Sequence, residues 1–289
     1  MNDALARFTT TAEIATTNVI HSYSTSFGLA TRLLGRRHRQ HIRNIYAMVR
    51  VADETVDGVA AEAGLDAEDQ RRALNDYATE THRAMSIGYS SNMIVHAFAR
   101  TARESGIGED LTGPFFSSMR DDIAQRFHNA ASHEAYVYGS AEVVGLMCLR
   151  VFTRDLAISP ERTAKLEHGA RQLGAAFQNV NFLRDIADDT ERLGRGYLAG
   201  EDTLDDAGRD RWVEAVRAQL RDAQRTIPLL PRDARAAVRS ATALFAALAN
   251  RVARTPATDL YVRRVRVPDG VKALLAARSL ITTALERRR

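Results

Sequence analysis

The chain has 289 residues, 45% hydrophobic and 26% charged, with a formal net charge of +4 and a sequence pI of about 9.4. That apolar share supports a large buried core. The basic excess is too small and too scattered to point to a nucleic-acid partner, and suits an anionic small molecule or a membrane surface instead. Nearly all basic residues are arginine, with Lys165 and Lys272 as the two lysines.

A single cysteine, Cys148, rules out an internal disulfide framework and fits a reducing, cytoplasmic setting. It closes the apolar run Val143-Val144-Gly145-Leu146-Met147-Cys148 and reads as a small core hydrophobe. The N-terminal residues lack the basic and apolar regions of a signal peptide. No apolar run approaches the ~20 residues of a transmembrane helix, so the expectation is a cytoplasmic protein with room for peripheral membrane contact.

Apolar residues recur at helical spacing along almost the whole chain, and period-two stretches are absent. Breaks fall at Gly58 to Gly64, Gly106 to Pro114, Ser159-Pro160, Gly194 to Asp206, Pro228 to Pro231, Pro256 and Pro268. Ser159-Pro160-Glu161 has the order of an N-cap, a first helical proline and an acidic first turn. No break resembles a flexible linker. The expectation is one all-α domain over residues 1–289, a bundle of roughly ten helices.

The first stretch that carries chemistry runs from Ile45 to Asp57. At about 100° per residue, Tyr46, Arg50, Asp53 and Asp57 share a sector about 60° wide on a helix that is otherwise mainly apolar. Carboxylates spaced i, i+4 point into one space and repel, and a divalent cation removes the repulsion. Oxygen-only ligands favour Mg²⁺, which typically bridges a few carboxylates to substrate phosphates. Taken alone, the stripe fits a structural Asp53–Arg50 pair equally well.

A second stripe, Gln178, Asn181, Asp185 and Asp189, lies opposite Val180, Leu183 and Ala187. By itself it reads as a solvated face of an amphipathic helix, ended by Gly194-Arg195-Gly196-Tyr197. The two D-x-x-x-D helices together change that reading. Face to face, they make a funnel with four carboxylates at the mouth and apolar walls below. Such a shape suits a diphosphate head on a hydrocarbon tail: Mg²⁺ helps the diphosphate leave, and the cavity shields the carbocation from water.

Four ordered blocks extend the pattern: Tyr23-Ser24-Thr25-Ser26-Phe27, Tyr46 through Asp57, Tyr136 through Gly145, and Gln178 through Asp189 with Gly194 to Tyr197. On these blocks the chain resembles the squalene/phytoene synthase family from about residue 15 to 280, and looks most like phytoene synthases of actinobacteria. The resemblance implies an isoprenoid synthase-type helical bundle with a central apolar cavity. It implies Mg²⁺ (or Mn²⁺) at Asp53, Asp57, Asp185 and Asp189. Ser24, Ser26, Phe27, Arg50, Arg184 and Arg264 would bind the diphosphate substrate, and Tyr46, Tyr138, Gln178 and Asn181 would line the reaction centre.

The family joins two prenyl diphosphates head to head through a cyclopropylcarbinyl diphosphate. Squalene synthases then deliver hydride from NADPH, whereas phytoene synthases lose a proton. The likeness to the latter implies phytoene as product and no NADPH. The chain departs from the family pattern at Ala199-Gly200, where proline is common after Gly196-Tyr197-Leu198. It departs again at Phe245, where many members place tyrosine, and at Glu142, on a helix expected to be buried. Two other readings stay open. One is a phytoene-synthase-like enzyme that attaches a dimethylallyl group to an aromatic, carbazole-type acceptor. The other is a non-catalytic prenyl-lipid binder.

Overall fold

The computed structural model describes residues 3–124, 129–188 and 204–286. Fourteen α-helical segments and no strand occur among the described residues, so the all-α expectation holds. Helix α1 (Asp3–Tyr23) packs on α3 (Arg36–Val56) and α6 (Met93–Ser105), and the short α2 (Thr25–Arg32) bridges α1 and α12 (Arg232–Val252). Helices α5 (Ala67–Ile87), α7 (Glu109–Ala124) and α9 (Val143–Thr153) complete one side. On the other side, α10 (Pro160–Asp188) packs against α9, α11 (Asp206–Thr226) and α12, and α14 (Asp269–Leu285) lies on α12. Two four-residue helices, α4 (Val59–Glu62) and α13 (Ala257–Leu260), sit in the breaks that glycine and proline mark in the sequence.

Polar residues fix the register of α3. Asn44 is fully buried; its amide donates to the Ala97 carbonyl at 3.1 Å and to Thr101 Oγ1 at 3.0 Å, and Thr16 donates to its Oδ1 at 2.7 Å. Helices α1, α3 and α6 are thereby pinned together, because sliding any one of them would leave a buried amide unpaired.

Two expectations need correction. The C-terminal part of helix α10, which taken alone reads as one solvated face, is packed on both flanks. Phe182 and Ala175 pack against Tyr136 and Val137, while Val180, Leu183 and Ile186 join α11 and α12 in a second core cluster. Enclosed on both flanks, this end of α10 has its polar stripe left to face a cavity, while Lys165, His168 and Arg171 toward its start are exposed. The other correction concerns apolar length. Helix α8 (Ala130–Val137), a π-helical turn (Tyr138–Glu142) and α9 run on continuously, and residues Ala131–Thr153 are long and apolar enough to cross a membrane by length and composition. Half of the apolar window is buried inside the protein, packed on α7 and α10, which accounts for its composition as core.

Small residues let these helices touch. A Cβ on Gly174 would lie 2.5 Å from the Ala141 carbonyl oxygen, and one on Gly145 would lie 2.5 Å from that of Ala170. Backbone sits on the far side of both contacts, so no side chain can swing away. Gly174→Ala is expected to lower unfolding stability by about 1–3 kcal/mol through overpacking, read as a shift in the urea midpoint. An unchanged midpoint would show that the π-helical turn yields freely.

Candidate active site

Helices α2, α3, α7, α10, α12 and the segment entering α14 enclose a cavity of about 780 Å³. The sequence-predicted residues Ser24, Phe27, Tyr46, Arg50, Asp53, Gln178, Asn181, Arg184 and Arg264 all line it. A second cavity of about 290 Å³ adjoins it and is almost wholly apolar, walled by residues such as Ala30, Ile42, Val144, Leu149, Leu166 and Val238. The two share Phe27, Val49, Ser140, Gln178 and Asn181, which form a neck between a polar mouth and an apolar pocket.

Charge at the mouth is paired within the protein. Arg50 donates to Asp53 Oδ2 at 2.7 Å and also pairs with Glu54, and its guanidinium stacks on the Tyr23 ring at 4.7 Å. Across the mouth, Arg184 grips Asp185 with both prongs, at 2.8 and 2.5 Å, and Arg264 Nε reaches Asp185 Oδ1 at 2.7 Å. Both stripes therefore meet at one opening. Asp57 caps the end of α3 one turn beyond Asp53, with its N–H on the Asp53 carbonyl at 2.9 Å. Asp189 and the Gly194-Arg195-Gly196-Tyr197 and Ala199-Gly200 segments lie outside the described residues, as does the side chain of Ser26.

Burial, reinforced by the neighbouring Asp57, pushes the Asp53 carboxyl well above the usual aspartate range against the pull of Arg50. Its side chain still keeps 31% of its accessibility, so a ligand can reach it. Burial likewise raises the Tyr46 hydroxyl, with Arg50 opposing. A carboxyl that ionises reluctantly beside a second carboxyl is what a divalent cation would relieve. Among the described residues no three potential ligands converge on one point. The oxygen donors present fit a Mg²⁺ ion that completes its shell with phosphate oxygens and water.

Several polar atoms in this wall have no partner. Arg50 Nε, Ser140 Oγ and Asn181 Oδ1 are buried and unbonded among the described residues. Buried polar groups are nearly always paired; these three residues line the polar cavity, whose occupant would supply the missing partners. Ser24 serves the fold as well: it caps α2 by accepting the Phe27 N–H at 3.0 Å.

The aromatic wall is assembled from three helices. Phe177 and Phe245 stack with centroids 3.7 Å apart, and Phe27 meets each of them at 5.9 Å. Phe245, the departure from tyrosine, thus contributes a ring and no hydroxyl.

Tyr138 is placed differently from expectation. It is not among the lining residues; Arg171 lies over its ring at 5.3 Å, and the same arginine pairs with Glu142 at 2.6 Å. That pair also accounts for Glu142 on an otherwise apolar helix. Tyr136 lines the mouth instead and donates its hydroxyl to the buried Asp122 at 2.8 Å. Residues two apart on a helix point about 200° apart, so only one of the two tyrosines can face the mouth. Lys272, Arg266 and Phe177 also line the cavities without having been expected. Lys272 had one available signal, as a rare lysine in an arginine-rich chain. Cys148 lies in the wall of the apolar pocket, where burial pushes its thiol up to about 12, so it behaves as an inert hydrophobe.

Residues 20–270 match the model of the squalene/phytoene synthase family. The chain belongs to the squalene/phytoene synthase family. Members of this family are prenyltransferases of isoprenoid biosynthesis and use a divalent metal for diphosphate ionisation. This family member is similar to a chloroplastic phytoene synthase of Zea mays, 28% identical over 277 residues, which cover 89% of this chain and 62% of that protein. It is similar to the 15-cis-phytoene synthase of Synechocystis at 28% identity over 279 residues, covering 89% and 80%. The chain spans about half to three fifths of the length of the first curated relatives it matches. In fold it is similar to a dehydrosqualene synthase solved with a ligand, at a TM-score of 0.79 and 21% identity, covering 96% of this chain and 98% of that one.

Because the folded state holds the Asp53 proton more tightly than the unfolded chain does, stability without metal falls as pH rises above the ordinary aspartate pKa of about 3.9. Asp53→Asn removes that slope. Its metal-free thermal midpoint is expected to exceed that of the parent protein at about pH 8 and to converge with it near pH 4. Parallel pH profiles for the two proteins would contradict the assignment.

Proposed function

We propose that this chain is a Mg²⁺-dependent prenyltransferase that ionises an allylic isoprenoid diphosphate and condenses two geranylgeranyl diphosphates head to head to phytoene. The supporting observation is the neck, where a mouth of mixed charge opens into an apolar pocket past the unpaired Ser140 Oγ and Asn181 Oδ1. An amphiphile with an anionic head and a hydrocarbon tail satisfies both halves at once.

In this reading Arg50, Arg184, Arg264 and Lys272 bind diphosphate oxygens. Asp53, Asp57 and Asp185, with Asp189 beyond the described residues, are the ligands for Mg²⁺, whose chemistry when bound is to neutralise the departing diphosphate. Phe27, Phe177 and Phe245 exclude water and turn aromatic density toward the allylic cation. Gln178, Asn181 and Ser140 set the depth at which the diphosphate end stops. Tyr136, oriented by Asp122, takes the place at the reaction centre that the family resemblance implies for Tyr138. Proton loss, without NADPH, closes the sequence.

An aromatic acceptor would need a flat slot beside the mouth. Phe177 and Phe245 cover one another's faces, which favours a continuous wall over a sandwich. A non-catalytic lipid binder would have no use for the retained carboxylates.

Incubation of the folded protein with geranylgeranyl diphosphate and Mg²⁺ is expected to yield a C40 hydrocarbon. Asp53→Asn and Asp185→Asn should each lower its rate about 100-fold or more. Absence of any C40 product would sink the phytoene reading, and a prenylated carbazole from dimethylallyl diphosphate would replace it. Tyr136→Phe is expected to lower kcat about tenfold or more and Tyr138→Phe to stay within about threefold. The reverse order would restore Tyr138 to the site.

A further inference from the structure

Helix α14 presents the wrong side to water. Its buried edge is Ala276, Ser279 and Thr283, small and largely polar. Polar contacts hold it to α12: Arg239 donates to Thr283 Oγ1 at 2.6 Å, Arg232 to the Ala284 carbonyl at 3.2 Å, and Arg235 pairs with Glu286 at 2.9 Å. The opposite edge carries Leu274, Ala277, Leu280, Ile281, Ala284 and Leu285, all exposed. Leu274, Ile281 and Leu285 are 68%, 60% and 78% accessible. At 100° per residue these six positions share a sector of about 140° that runs the length of the helix. Scattered exposed leucines need no explanation, but a continuous apolar face on a surface helix marks a contact surface.

The segment that leads into α14 is basic. Arg251 and Arg254 at the end of α12 join Arg263 and Arg266 around a surface pocket of about 380 Å³ at the start of α14. Val262, 83% accessible, projects beside them. Arg278 borders the apolar sector, and the sequence runs on past Glu286 into Arg287, Arg288 and Arg289.

We infer that α14 is a docking surface for an anionic bilayer, with its apolar edge at the boundary of headgroups and acyl chains and the flanking arginines on lipid phosphates. The combination of an apolar stripe and a basic border is that of an interfacial helix. A second copy of this chain on the same face would bring like charge against like charge, which selects the bilayer as occupant. The surface is continuous with the site. Residues Val265 to Asp269 line the mouth, and Lys272, in the first turn of α14, donates to Thr25 Oγ1 at 3.2 Å beside the Ser24–Phe27 segment. A docked α14 sets the mouth of the polar cavity beside the membrane, the phase in which long apolar tails reside. The surface is argued from exposure and charge, so it stands or falls independently of the prenyl-transfer reading.

The test is flotation of the full chain with vesicles of phosphatidylcholine alone and of phosphatidylcholine mixed with phosphatidylglycerol. Binding is expected on the anionic vesicles and to weaken with salt. Leu274→Ser/Ile281→Ser/Leu285→Ser should lower the partition coefficient about tenfold or more. Arg251→Glu/Arg254→Glu should weaken binding at low salt and flatten its salt dependence. All these positions are exposed, so helix content and thermal midpoint should be preserved; if the triple variant fails to fold, Ile281→Ser and the arginine variant decide. The inference is overturned if the parent chain does not float on anionic vesicles, or if the folded serine variant floats as the parent does. It is also overturned if sedimentation reveals a dimer that the serine substitutions dissolve, which would give the face to a second copy.

Discussion

Ionised groups inside an apolar helical bundle are tolerated only when each finds an opposite charge, and the mouth of this protein is organised around that requirement. Asp53 is held by Arg50, which also serves Glu54, and Asp185 is held by Arg184 and Arg264. The pairing is exchangeable under the proposed function. A diphosphate offers the arginines new acceptors, while a divalent cation offers the carboxylates a new partner. The protein therefore keeps its charges balanced with and without substrate, and burial beside Asp57 holds the Asp53 carboxyl above the usual aspartate range.

Everything behind the mouth has the opposite task of excluding charge and water. Close helix contacts at Gly145 and Gly174 bring α9 and the π-helical turn onto α10, and the space left over is an apolar pocket. The aromatic triad of Phe27, Phe177 and Phe245 sits where pocket and mouth meet. Ser140 and Asn181, each with a buried unpartnered oxygen among the described residues, line both cavities. The same economy of position extends to α14, whose first turn closes the mouth while its outer edge faces away from the bundle.

The two aspartate pairs were unequally legible. Asp53 and Asp57 stand out because a narrow polar stripe on an otherwise apolar helix has no ordinary surface explanation. Asp185 reads as a wet helix face, since Val180, Leu183 and Ala187 look like a single apolar back. Only packing reveals that Phe182 is buried on the other flank. Tyr138 was implied by the family resemblance, and in the fold Tyr136, two residues earlier and on the other side of the helix, lines the mouth instead. Arg266, in the segment between α13 and α14, and Lys272, in the first turn of α14, reach the mouth through the path of the chain after α13.

Composition, periodicity and the four motif blocks determined an all-helical chain, its family likeness and most of the side chains that face the polar cavity, because those features repeat within a few residues of sequence. Tertiary structure decided which polar stripe is enclosed, which tyrosine reaches the mouth, how the charges pair and which helix leaves its apolar edge outside. Each of these depends on contacts between segments far apart in the chain, which leave no periodic trace in the sequence.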